Sequence, residues 1–144
     1  MFSNAADLAG MIDHTRLAPD TTLDAIRQAC EEARRYCFAA VCIPPCYVEE
    51  AAGRLRGSAV AVCTVIGFPL GYQALPVKIV EAMEAVKHGA RELDLVIHLG
   101  AVKMGNADAV RTEVVKVRTV ASGVLLRVIL ETGYLTREER VSAC

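Results

Sequence analysis

The sequence predicts an α/β protein built on a parallel sheet, and three observations carry that reading. Four short runs rich in apolar and β-branched residues recur along the 144 residues: FAAVCI (38–43), AVAVCTVIGF (59–68), ELDLVIHL (92–99) and VLLRVILE (124–131). Segments with helical spacing of apolar residues separate them, so strands and covering helices alternate. The starts of the runs advance by about 21, 33 and 32 residues, and a (β/α)8 barrel of about 250 residues needs about 31 per unit. Four units fit and eight do not. The expectation is therefore the (β/α)4 half of a (β/α)8 TIM barrel, one domain over residues 1–144. Its open sheet edges and uncovered inner face are of the kind that a second copy can close.

Each element follows from local chemistry. Leu23, Ile26, Cys30, Ala33 and Cys37 fall at helical spacing with Asp20, Thr21 or Thr22 available as N-cap, so a helix is expected first. A shorter helix around Cys46 to Leu55 joins the first two strands. Before the third run, Pro76 suits a first helical turn, Val77, Val80, Met83 and Val86 form the apolar stripe, and Gly89 suits the stop. Before the fourth, Asn106 or Asp108 caps a helix whose stripe is Val110, Val114, Val117 and Ala121. Thr136-Arg137-Glu138-Glu139 is a capping box that opens a last helix.

Composition excludes several classes. At 53% hydrophobic and 23% charged the chain is too apolar to stay disordered, and 16 basic against 17 acidic residues leave no field to gather nucleic acid or an anionic membrane. The opening MFSNAADLAG lacks the basic and apolar regions of a secretory signal, so the six cysteines are expected as reduced thiols in a cytoplasm. Cys42 and Cys46 have a zinc-like spacing but no second pair beside them, so no metal is expected and they read as small buried hydrophobes. From Gly57 to Val77 no residue is charged, a length that could cross a bilayer. Gly67, Pro69, Gly71, Gln73 and Pro76 break it into a strand and a turn.

The chemically informative position is Asp94, in the middle of ELDLVIHLG. An ionised carboxylate on a buried strand is costly unless it is paired or hydrogen-bonded. If Leu93, Leu95 and Ile97 face the helices, strand alternation turns Asp94, Val96 and His98 toward the lumen. On the last run, Leu126, Val128 and Leu130 toward the helices would turn Arg127 and Ile129 inward. Asp94 and Arg127 can then meet, and a cation beside the acid keeps it ionised. A purely structural ion pair and a working carboxylate fit this spacing equally. His98 reads as a rim residue, and His14 and His88 as surface or capping residues. Lys78, Lys87, Lys103 and Lys116 read as solvated side chains.

Five segments together carry a resemblance: IDHTRLAPD, FAAVCIPPCYV, VCTVIGFPLGY, VKIVEAMEAVKHGARELDLVIHLGAVKMG and LLRVILETGYLT. In order and spacing they resemble the amino-terminal half of deoxyribose-phosphate aldolases. The resemblance implies a (β/α)8 barrel that cleaves 2-deoxy-D-ribose 5-phosphate to glyceraldehyde 3-phosphate and acetaldehyde, in cytoplasmic deoxyribonucleotide catabolism. It implies a class I mechanism, in which a lysine amine forms a Schiff base and no metal or other cofactor is used.

By the same resemblance Asp94 matches an aspartate in the proton relay beside the Schiff base. Cys42 matches a substrate-proximal cysteine, and Asp13 and Thr15 match polar residues close to the sugar. Arg127 stands where the family commonly has lysine; the cation is kept, with a different hydrogen-bond geometry. The family's KTSTGF-like motif, which carries the Schiff-base lysine, does not occur in these 144 residues. The expectation is thus an incomplete aldolase, inactive alone and prone to form homo-oligomers. A non-catalytic half-barrel that binds a phosphorylated metabolite or a partner chain is the alternative. An aldolase whose amine comes from an unusual position or a second chain is the third reading.

Overall fold

The computed structural model describes residues 4–144. Its five strands are β1 (Asp13–Thr15), β2 (Ala40–Ile43), β3 (Ala61–Ile66), β4 (Glu92–Val96) and β5 (Leu125–Ile129). Helices alternate with them: α1 (Ala5–Ala9), α2 (Leu23–Tyr36), α3 (Val48–Arg54), α4 (Leu75–Lys87), α5 (Leu99–Lys103), α6 (Ala107–Val120) and α7 (Arg137–Ala143). The strands form one parallel sheet in the order β1-β2-β3-β4-β5. Sequential order without crossovers between non-neighbours is what βα units winding in one direction produce.

The α/β class and the four expected strands are present, and the count needs one correction. Asp13-His14-Thr15 is a fifth strand at the front, paired in parallel with β2 through Asp13↔Ala40, His14↔Val41 and Thr15↔Cys42. Three residues with no apolar run give no alternation to detect, and the strand exists because β2 offers a ladder to it. The helix expected as the first element is α2, and the short helix α1 and the strand β1 both precede it.

The chain divides into two compact units, Met1–Thr64 with Ala85–Glu92, and Val65–Glu84 with Leu93–Cys144. In the first, Thr22 caps α2 by accepting from the N–H of Ala25, and Cys37 ends it in a left-handed conformation at φ 55°. Ile26, Ala29, Cys30 and Ala33 make its buried face, and β2 is buried along its whole length. Leu23, at the start of the expected stripe, is exposed.

In the second unit, Ile97, Val102 and Leu135 form a core cluster joined by Leu99, Val110, Val114, Leu130 and Ala143. Asn106 caps α6, and Val117 and Ala121 lie buried as its stripe requires. The capping box holds as read: Thr136 accepts from the N–H of Glu139, whose carboxylate accepts from the N–H of Thr136.

The apolar stripe of α4 is the second correction. Val77, Val80 and Met83 are half-exposed, and the fully or nearly buried residues are Lys78, Ala82 and Ala85. Two alanines let the helix lie close, and an ion pair replaces the usual apolar contact. Periodicity marks where large apolar residues recur, and here those residues point outward.

Candidate active site

Asp94 sits in the middle of β4, with buried Leu93 and Leu95 on either side. Arg127 occupies the middle of β5, and its Nε donates to Asp94 Oδ1 across 2.7 Å. Alternation thus brings the two together as the pattern requires. The Asp94 side chain is 18% exposed and that of Arg127 38%, so the pair is partly wet. The contact orients the carboxylate while one side of it remains open to water. That arrangement lets an acid pass protons to a neighbouring group.

Lys78 overturns the reading of all four lysines as solvated. Its side chain has no exposure, and it lies on the inner face of α4. Its Nζ donates to the carbonyl of Gly71 at 2.5 Å, to the carbonyl of Val96 at 2.8 Å and to Glu113 Oε1 at 2.5 Å. Glu113, itself buried on α6, accepts the N–H of His98 on its second oxygen at 3.0 Å. Three acceptors match the three hydrogens of an ammonium, so the side chain is held in place on every side. No sequence signal marked it, because the apolar stripe of α4 pointed to a different phase of the helix.

Lys103 closes α5, and its Nζ is 2.7 Å from Glu139 Oε2. His98, at the end of β4, is exposed and precedes α5, as a rim residue should. His14 is more enclosed than a surface residue, with Nε2 2.6 Å from Glu32 and its ring 5.4 Å from that of Phe38.

The other expected site residues lie in the first unit. Cys42 is buried on β2, in register with Thr15 of β1 and Cys63 of β3. Thr15 is exposed, and its hydroxyl donates to the carbonyl of Asp13 at 3.0 Å. Asp13, Cys63 and Glu92 each place one ligating atom within 4.8 Å of the others. Each of the three also makes an interaction of its own. All six cysteines are thiols; Cys30, Cys42 and Cys63 are buried, while Cys37, Cys46 and Cys144 are exposed. The small-hydrophobe reading therefore holds for Cys42 and fails for Cys46. Burial pushes the Cys30 thiol up from its ordinary value.

A groove of about 410 Å³ runs along α5, α6 and α7 in the second unit, bordered by Val102, Arg111, Val114 and Ser142. Neither Asp94 nor Arg127 borders it. No helix among the described residues is long and apolar enough to cross a membrane, so the uncharged stretch is a strand and turn as expected.

In class, this is a parallel α/β sheet of the TIM-barrel type with an acid–guanidinium pair on neighbouring strands. Its curated homologues are deoxyribose-phosphate aldolases. The chain is 48% identical over 141 residues to that of Caldanaerobacter subterraneus, which covers 96% of this chain and 61% of the relative. It is 47% identical over 133 residues to that of Brevibacillus brevis, covering 92% of this chain and 60% of the relative. No family model matches the chain.

Solved structures agree. The fold matches a deoxyribose-phosphate aldolase from Coccidioides immitis with a TM-score of 0.95 at 38% identity, over 98% of this chain and 56% of that one. It matches a deoxyribose phosphate aldolase from Aeropyrum pernix, described as a unique tetramer, with a TM-score of 0.86 at 32% identity, over 99% of this chain and 60% of that one. The chain therefore spans about three fifths of the length of the relatives it matches.

Proposed function

We propose that this chain carries the acid half of an aldolase site, and that cleavage of 2-deoxy-D-ribose 5-phosphate needs a reactive amine from outside residues 1–144. The observation that carries the reading is the partly wet Asp94–Arg127 pair at 2.7 Å, on strands whose relatives are aldolases. In the reaction a lysine amine and the substrate aldehyde lose water to form an iminium. Its electron demand draws the C2–C3 bonding pair while the C3 hydroxyl gives up its proton. Glyceraldehyde 3-phosphate leaves, the enamine regains a proton at C2, and water releases acetaldehyde. Asp94 serves the proton movements, and Arg127 holds it aimed. Asp13, Thr15 and Cys42 are the substrate-proximal residues of this reading.

The six thiols favour a cytoplasmic setting, and a deoxyribose phosphate as substrate fits a role in deoxyribonucleotide catabolism. Self-association is part of the proposal. Val77 at 49%, Val80 at 58% and Met83 at 51% exposure make an apolar stripe on α4 that a second copy would cover.

Borohydride reduction in the presence of acetaldehyde tests the reading. The chain alone should give no reduced adduct, and mixing with the remaining carboxy-terminal portion of a homologous aldolase should give one on the added portion. An adduct on Lys78, Lys87, Lys103 or Lys116 would overturn it.

A further inference from the structure

We infer that Lys78 and Glu113 are a buried positioning pair that fixes the loop after β3 and the exit of β4 for the site at Asp94. The inference rests on the aldolase reading of Asp94. Lys78 ties Gly71, at the end of the β3 loop, to Val96, two residues beyond Asp94 on the same strand. Glu113 ties the amide of His98, just past the strand, to the same ammonium. Glu81, one turn along α4 from Lys78, accepts the N–H of Gly67 at 2.8 Å and so holds the other end of the loop.

The packing allows no slack. A Cβ on Gly67 would lie 2.6 Å from Lys78 Cε, and one on Gly71 would lie 2.2 Å from the carbonyl oxygen of Ile97. Both glycines have positive φ, 66° and 71°, which leaves their backbone free to lie against the lysine and the strand end. An apolar pair of similar volume would stabilise such a place as well as an ion pair does. What the ion pair adds is a fixed address for three backbone groups on two βα loops, at the strand ends where barrels of this type place their chemistry.

The experiment is the double variant Lys78→Met/Glu113→Leu of the whole chain, studied by amide exchange and by the NMR signal of the Arg127 Nε–H that bonds Asp94. We expect exchange at Gly67, Gly71 and His98 to rise at least about tenfold, with Ile26 and Leu55 unchanged, and the Arg127 signal to shift and broaden. A merely structural pair would leave the Arg127 signal in place. If the double variant does not fold, Glu113→Gln keeps the shape and turns an amide toward the His98 N–H, so the same signals decide. A folded variant with unaltered Arg127 and loop amides overturns the inference. Neither readout needs aldolase turnover, so failure of the borohydride experiment and failure of the positioning role are separable.

Discussion

Lys78 Nζ lies 2.5 Å from Glu113 Oε1, with the lysine side chain fully buried and that of the glutamate 7% exposed. Removing one partner strands the other charge away from water, while removing both does not. Lys78→Met alone should therefore lose about 3–5 kcal/mol, and adding Glu113→Leu should return most of it. Urea unfolding of the two variants checks the pair, and equal losses would show that a stranded Glu113 charge is not what weakens Lys78→Met.

Asp94 and Arg127 form a wetter pair, and the expected cost is smaller. Asp94→Asn and Arg127→Met should each lower stability by about 1–2 kcal/mol, as for a charged hydrogen bond with partial solvent access. Unchanged denaturation midpoints for both would remove the pair as a contributor to the fold.

Gly71 and Gly105 separate backbone strain from collision. Both have positive φ, but a Cβ at Gly105 meets nothing within 4 Å, while one at Gly71 runs into the Ile97 carbonyl. Gly105→Ala should cost about 1 kcal/mol, from the left-handed backbone alone. Gly71→Ala should cost about 3 kcal/mol or more, since strand and loop must separate. Thermal melts of the two variants give the comparison.

Acid should weaken both units. The His14 hydrogen bond holds Glu32 below its ordinary 4.5, the Arg54 hydrogen bond does the same for Glu50, and the Lys103 hydrogen bond for Glu139. A folded value below the unfolded one means that the folded chain binds the proton less readily. The stabilisation is complete above pH 4.5 and is lost as pH falls through the lower folded values. Stability measured from pH 6 to pH 3 should stay level and then fall. For Glu139→Gln the fall should be shallower, because one depressed group has been removed.

How much of this was legible in the chain differs element by element. β2 to β5 announced themselves as continuous apolar runs, the mark of parallel strands, even though β5 leaves Leu125 and Val128 exposed. β1 did not, because three polar-leaning residues become a strand only when a neighbour supplies the ladder. Asp94 and Arg127 could be matched because strand alternation fixes facing from spacing alone. Lys78 and Glu113 stand 35 residues apart on different helices, and no local pattern links them.

By itself, the sequence determined the alternation of strands and helices, the capping box at Thr136, the phase of Asp94 opposite to Leu93 and Leu95 on one strand, and the absence of the lysine motif, while the structure chose Thr22 and Asn106 among the caps on offer. Those depend on interactions a few residues long or on a period along one strand. Only tertiary structure decided that α4 turns its alanines and lysine inward and its valines outward, and that a buried ammonium joins two loops. Such choices compare the burial of one face with another across segments distant in the chain. Only the packed form sets those costs side by side.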